Sequence, residues 1–455
     1  MSDLPPYLKS GERARLIPIV ADTNRESRIT SVLLASLTAI PDFAHALFSS
    51  VGQSIGKRAG ISAFTEVVPN SLVAQSKDRP DGLVVIETGR RSWSAFLEVK
   101  IGNGQLGADQ IERYVELAKN CGIDAVITIS NQFTARPDHH PIQLPRTSTR
   151  KVKLYHWPWM WILTQASLLQ MDETIEDSDQ AFLLNEIVRF LSHDSTGIDG
   201  FDRMNKEWKE IVLAVQSGAV LRRTNHEVEN TVASWHEEER DLCLILSRHL
   251  GRPVRLKLDR KHRDAPLHRL KDDGAILAEK KLLSCAFQIP DAASDLSVVV
   301  DLRTRSIACG MRVEAPRDKK STKARINWLL RQISKANDPD IYVKASWPSR
   351  APDTKDSLAR VRENPEILQT GNQKQSPHSF EVQLIRDLAG KFSGSRTFIE
   401  QLEAAVPRFY DQVGQHLRPW QAPPPKPRNQ DILSPTEDEV DKTEPITIER
   451  PHTEV

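Results

Sequence analysis

The sequence predicts an α/β protein. Its N-terminal third reads as a sandwich around a central mixed sheet, followed by a helical segment and a smaller α+β domain. Three observations carry this expectation. Leu83-Val84-Val85-Ile86 and a second apolar run beginning at Ala95 are joined by Thr88-Gly89-Arg90-Arg91, which reads as a β-hairpin. Helical periodicity flanks the hairpin at about 24–40 and 107–120, and a further apolar run, Ala125 to Ile129, follows. After Gly251-Arg252-Pro253 the pattern changes from helical to strand-like alternation.

Residues 1–20 show one short apolar segment, Leu16 to Val20, and are expected to be irregular. A helix then starts at about Asn24, with Ile29, Val32, Leu33, Ser36, Leu37 and Ile40 on one stripe. Glu26 falls on that stripe. It reads either as a first-turn acid favoured by the helix dipole or as an acid aimed inward. Ala63 to Val68 reads as a strand, Asn70 to Arg79 as a polar loop, and the hairpin follows. Gly102-Asn103-Gly104 ends its second strand. The next helix runs from about Gly107 to Asn120, with Ile111, Val115 and Ala118 inward and Gly122 as the stop. Gln110 and Tyr114 are four apart and share a face of it.

Gln132 to Arg150 is a loop rich in Pro, His and Arg. Val152 to Trp157 is another strand, and Pro158 opens a helix. Trp157, Trp159 and Trp161 read as a core or junction cluster rather than a base-stacking platform. The first domain is set at 1–165, a helical segment at 166–251 and the α+β domain at 252–350. The latter has strands near 254–258, 296–302, 306–313 and 341–345 and a helix capped by Ser321. A mobile linker is expected at 351–379, a helical pair at 380–418 and a disordered tail at 419–455, where Pro and acidic residues leave too little apolar surface to fold.

Lys and Arg number 62 against 61 Asp and Glu, so any basic surface must be local. Two such runs stand out. Residues 252–271 hold eight cations against two acids, and Arg317, Lys319, Lys320, Lys323 and Arg325 cluster around a helix start. The four cysteines are far apart, with no zinc spacing. Met1-Ser-Asp-Leu-Pro-Pro has no signal-peptide character and no apolar run approaches about 18 residues, so a cytoplasmic protein without membrane association is expected.

The chemistry-bearing residues lie at one end of the hairpin. Pro80-Asp81 precedes the first strand, and Glu98-Val99-Lys100 closes the second. Alternation puts Phe96, Glu98 and Lys100 on one face. A charged cluster on so apolar a sheet is costly unless its members pair or hold a metal. In this order, Pro80-Asp81, Glu98-x-Lys100, then Gln110 and Tyr114 on the next helix, the chain resembles the PD-(D/E)XK nuclease superfamily over about residues 20–160. Among its members the RecB-type domains with a Gln/Tyr helix are the nearest pattern. The resemblance implies a restriction-endonuclease-like sandwich and metal-dependent hydrolysis of phosphodiester bonds, in DNA rather than RNA, in restriction, repair or defence.

Such chemistry needs hard oxygen ligands for Mg²⁺, with Mn²⁺ as a substitute. Asp81, Glu98 and the Val99 carbonyl would supply them. Lys100 would orient or help deprotonate the attacking water and offset phosphate charge. Gln110 and Tyr114 would contact the phosphate or hold Lys100 in place. Glu66 and Glu26 resemble the additional acids some members carry, and which of them reaches metal is left open. The competing expectations are a non-catalytic nucleic-acid-binding or regulatory protein that keeps the fold, or a C-terminal half acting as a sensor or assembly module through a protein partner or second copy.

Overall fold

The computed structural model describes residues 4–18, 23–56, 59–70, 79–89, 91–134, 136–142, 144–145, 149–349, 351–369 and 375–422. In chain order the first part holds β1 (Leu8–Arg13), α1 (Arg25–Ala39), α2 (Pro41–Ser49), β2 (Gly60–Pro69), β3 (Gly82–Thr88) and β4 (Arg91–Val99). It continues with α3 (Ala108–Cys121), β5 (Ala125–Ser130), β6 (Lys153–Pro158), α4 (Trp159–Met171) and α5 (Ser178–Leu191). The six strands form one mixed sheet in the order β1-β2-β3-β4-β5-β6. β1 to β4 pair antiparallel, whereas β4-β5 and β5-β6 are parallel. A parallel neighbour requires a crossover, and α3 and the 131–152 connection provide the two.

Both sheet faces are covered. Ala63, Val84, Ile86, Leu97, Val99, Ile127 and Ile129 pack under α1, α2, α4 and α5. Phe64, Leu83, Val85, Phe96 and Val126 pack under Tyr114, Val115 and Ala118 of α3. This explains why β3, β4 and β5 are apolar over most of their length, since a strand buried on both sides has no solvent-facing side. Each buried Val, Leu, Ile or Phe among them contributes about 1.5–3 kcal/mol by burial. Asn24 caps α1 by accepting the Ser27 N–H, and Gly122 ends α3 in the left-handed conformation at φ 71°.

The second part holds α6 (Trp208–Gln216), α7 (His226–Leu250), β7 (Arg255–Leu256), α8 (Arg260–Asp264), α9 (Pro266–Lys280), β8 (Leu282–Gln288), β9 (Leu296–Asp301) and β10 (Ser306–Glu314). It closes with α10 (Thr322–Gln332), β11 (Ile341–Ser346), β12 (Thr354–Ser357), α11 (Leu358–Glu363), β13 (Ser379–Asp387) and α12 (Ser395–Gln412). Its strands form an antiparallel sheet in the order β12-β11-β13-β10-β9-β8-β7. Phe287, Val298, Cys309, Val343 and Val382 line the buried face against Trp208, Trp235, Phe398 and Leu402.

Several expectations need correction. Residues 8–13 are not irregular but form edge strand β1. The 351–379 stretch contains β12 and α11, although 370–374 lie outside the described residues. The 380–418 helical pair is instead a strand and one long helix. β13 sits between β11 and β10, so the α+β part does not end at 350. Its period-two signal, Phe380, Val382 and Leu384 inward with Glu381 and Gln383 outward, was present in the sequence. The tail reading at 419–455 falls almost wholly outside the described residues, as does most of the 70–79 loop. Among the described residues no single helix is long and apolar enough to cross a membrane.

Candidate active site

The site is built by the register of the β3-β4 hairpin. Thr88 pairs with Arg91, so two residues make the turn, and Gly89 supplies the positive φ of 61° that such turns demand. That tight connection fixes every pair back to Gly82 opposite Leu97. One step beyond, Asp81 falls beside Glu98. Asp81 stays there because its Oδ2 accepts the Val99 N–H at 2.7 Å and its carbonyl accepts the Glu66 N–H at 3.3 Å. Lys100 is tied to the neighbouring strand through its N–H to the Ile129 carbonyl at 2.8 Å. Its own carbonyl accepts the Trp159 indole N–H at 2.9 Å.

The side chains converge as the sequence order suggests. Lys100 Nζ lies 2.8 Å from Glu98 Oε1, donates to the Val99 carbonyl at 3.2 Å and pairs with Glu26 Oε2 at 3.5 Å. Gln110 Nε2 donates to Glu98 Oε1 at 2.8 Å and to the Tyr114 hydroxyl at 3.1 Å. The Tyr114 hydroxyl in turn donates to the Arg79 carbonyl at 3.0 Å. Gln110 and Tyr114 therefore orient Glu98 and anchor the chain entering Asp81, rather than holding Lys100. Glu26 meets the site through Lys100, from the first turn of α1, with its side chain 38% exposed.

Glu66 departs from the strand alternation read from sequence. The β1-β2 register shifts there, with Ser10 opposite Val68 but Glu12 opposite Thr65, and Glu66 adopts φ 50°. This β-bulge turns its side chain outward, where the carboxylate is held by Ser27 Oγ at 3.0 Å and Arg79 at 3.3 Å. Left-handed backbone at a non-glycine residue carries strain, and such strain concentrates at functional sites. Sequence reading missed Arg79, Ser27 and Trp159. The first two act through a bulge that no period reveals; the indole of Trp159 was placed in the core but not on Lys100.

The electrostatics follow from burial. Glu98 is 1 % exposed, and its Oε2 is buried with no hydrogen-bond partner among the described residues. Asp81 is pushed up to about 7, chiefly by burial, then by Glu98 and more weakly by Glu26; the Val99 N–H and Lys100 oppose the rise. Burial pulls Lys100 down, but Glu98, Asp81 and Glu26 outweigh it and hold the ammonium above its ordinary range. Tyr114 is raised by burial and by the Glu98 charge, so it remains a neutral donor.

The donor set suits a hard divalent cation: two carboxylates and the Val99 carbonyl, all oxygen. The unpartnered Glu98 oxygen and the mutual repulsion of Asp81 and Glu98 are what an added positive charge would relieve. Among the described residues no three His, Cys, Asp or Glu side chains gather into a metal-binding group, so protein ligation here rests on these two acids and the carbonyl. Gly104 lets this cluster close. A Cβ there would lie 3.0 Å from the Ile101 carbonyl and 3.3 Å from the Lys100 stem. No family model matches the chain, and no curated protein matches it.

Proposed function

We propose that the chain is a metal-dependent nuclease, hydrolysing phosphodiester bonds in DNA rather than RNA, on a restriction-endonuclease-like version of its mixed sheet. The observation that carries this reading is the meeting of Asp81, Glu98 and Lys100 at one end of the hairpin, with Gln110 and Tyr114 behind Glu98. A structural salt-bridge trio would satisfy its own charges. Here one Glu98 oxygen has no partner among the described residues and Asp81 is held near 7. That is an arrangement costly to stability and useful to chemistry.

In this reading Asp81, Glu98 and the Val99 carbonyl would hold Mg²⁺, with Mn²⁺ as the substitute ion. Once bound, such an ion stabilises charge on the reacting phosphate and eases deprotonation of water. Lys100 stays protonated among three acids, so its role is to orient the water and offset phosphate charge rather than to abstract the proton. Gln110 fixes the Glu98 carboxylate, and Tyr114 fixes the backbone at Arg79, keeping both acids in place as substrate enters. Glu26 steadies the ammonium of Lys100 from α1.

The test is cleavage of supercoiled plasmid and linear duplex with Mg²⁺, Mn²⁺ or EDTA. Metal-dependent cutting should be lost in Asp81→Ala with the fold retained. Lys100→Ala should keep metal affinity by calorimetry and lose turnover. Full activity in Asp81→Ala would remove the assignment, and joint loss of metal binding and stability in Lys100→Ala would make Lys100 a structural partner.

A further inference from the structure

We infer that the cationic recess between β10, the start of α10 and the lead into β13 binds the phosphodiester backbone of DNA, a contact separate from the hairpin site; the choice of DNA rests on the nuclease reading above. The recess has a volume of about 310 Å³ and is lined by Arg312, Glu314, Arg317, Arg325, His378 and Ser379. Lys319, Lys320 and Lys323 extend the same segment. From Arg312 to Arg325 there are six Lys and Arg against two acids, Glu314 and Asp318.

The two basic runs seen in the sequence have different fates. In the first, Lys257 pairs with Asp295, Lys261 with Asp272, and Arg260 and Arg263 with Asp264. Arg269 is buried against Glu239 and Asp273. Five of the eight cations of that run are thus paired, while Arg252, Arg255 and Lys271 are exposed with no carboxylate partner among the described residues. In the second, Arg317 pairs with Glu314 at 3.0 Å and Lys319 lies 3.8 Å from Asp318. Lys320 and Lys323 are exposed and have no carboxylate partner among the described residues. A net positive surface therefore survives folding here.

The recess is also braced. Arg325 donates to the Lys319 carbonyl at 2.7 Å and to the Pro377 carbonyl at 2.7 Å, which ties the 317–320 connection to the strand entrance. Ser376 Oγ donates to the Lys320 carbonyl at 2.6 Å, and Thr322 Oγ1 to the Gln375 carbonyl at 3.1 Å. Arg312 is steadied by Ser379 Oγ at 2.8 Å. Arg325 spends its Nε and Nη1 donors on these carbonyls and so braces the recess, leaving Arg312, Arg317, Lys320 and Lys323 to meet phosphate oxygens. Trp420 borders the patch, with Arg317 6.0 Å from its ring and its indole N–H donated to Asp318 at 3.0 Å, and the large hydrophobic side chains most exposed among the described residues lie elsewhere.

The test measures binding of the full chain to a short fluorescein-labelled duplex by anisotropy, in EDTA, across a salt series. Lys320→Gln/Lys323→Gln with Arg317→Gln should lower the slope of log affinity on log salt by about 2–3 and weaken binding about tenfold or more near 0.1 M salt. Arg189→Gln, an exposed cation on α5, should change neither. Thermal melting checks that the triple variant is folded. An unchanged slope in the folded triple variant, no duplex binding by the wild type, or polyglutamate competing as well as DNA would each overturn the inference. Plasmid cleavage by the same proteins with Mg²⁺ separates the two readings. Binding through the recess without any cutting by the wild type defeats the nuclease reading alone, and cutting with an unchanged slope defeats this one alone.

Discussion

Glu238 on α7 offers a test in which a charged residue is replaced and the protein becomes more stable. Its side chain is fully buried, and neither carboxylate oxygen has a hydrogen-bond partner among the described residues. Burial, and then the charges of Glu403, Asp241 and Glu239, push its pKa well above the ordinary range, so it folds as the neutral acid. Two separable costs follow. An unsatisfied neutral carboxyl at a buried position costs about 1–3 kcal/mol at any pH. Holding the proton adds a cost that grows with pH. Because the folded-state pKa is raised, the favourable contribution is complete below the unfolded value of 4.5 and is lost as pH rises toward the folded value.

Glu238→Met removes both costs and should gain about 1–3 kcal/mol near pH 5 and more at pH 8. Glu238→Gln removes only the second, so its advantage should vanish near pH 4 and widen with pH. Urea unfolding of the three proteins at several pH values reads both terms. A destabilised Glu238→Met at pH 8, or a difference between wild type and Glu238→Gln that does not vary with pH, would refute the reasoning.

Acid should act through a different cluster. His156 is buried between Thr128 Oγ1 at 2.7 Å and the Gln132 carbonyl at 2.9 Å, and burial pulls its pKa down to about 3. A depressed histidine stabilises above its unfolded pKa and loses that contribution as pH falls toward the folded one. Between pH 7 and pH 4 it should account for about 3 kcal/mol of lost stability, which His156→Gln should abolish in denaturation curves; an unaltered pH slope would contradict this. Gly82→Ala should cost about 1–3 kcal/mol, because the added Cβ would sit 2.6 Å from Leu34 Cδ1 and 3.3 Å from the Phe64 carbonyl. Since Gly82 adjoins Asp81, plasmid cleavage should fall with it, and a wild-type melting temperature would show that α1 yields more easily than the packing suggests.

The sequence by itself determined the hairpin and what it carries. A two-residue turn with glycine leaves one register, and one register leaves Asp81 beside Glu98. Helix α3 was equally legible, since Gln110 and Tyr114 share a face by period alone and both reach the Glu98 end of β4. These are local rules, acting over a few residues. Only the tertiary structure decided the rest. β13 reads as a polar-apolar alternation that could serve many partners, and its place between β10 and β11 is fixed by pairing with strands far away in the chain. Glu66 was placed by a bulge, which no alternation announces. Glu237 to Glu239 of α7 are an acidic run in sequence, yet Glu238 and Glu239 are buried because they meet other elements of the fold. Local geometry follows from spacing; burial depends on what the rest of the chain brings alongside, and burial sets the charge state, the cost and the chemistry of these groups.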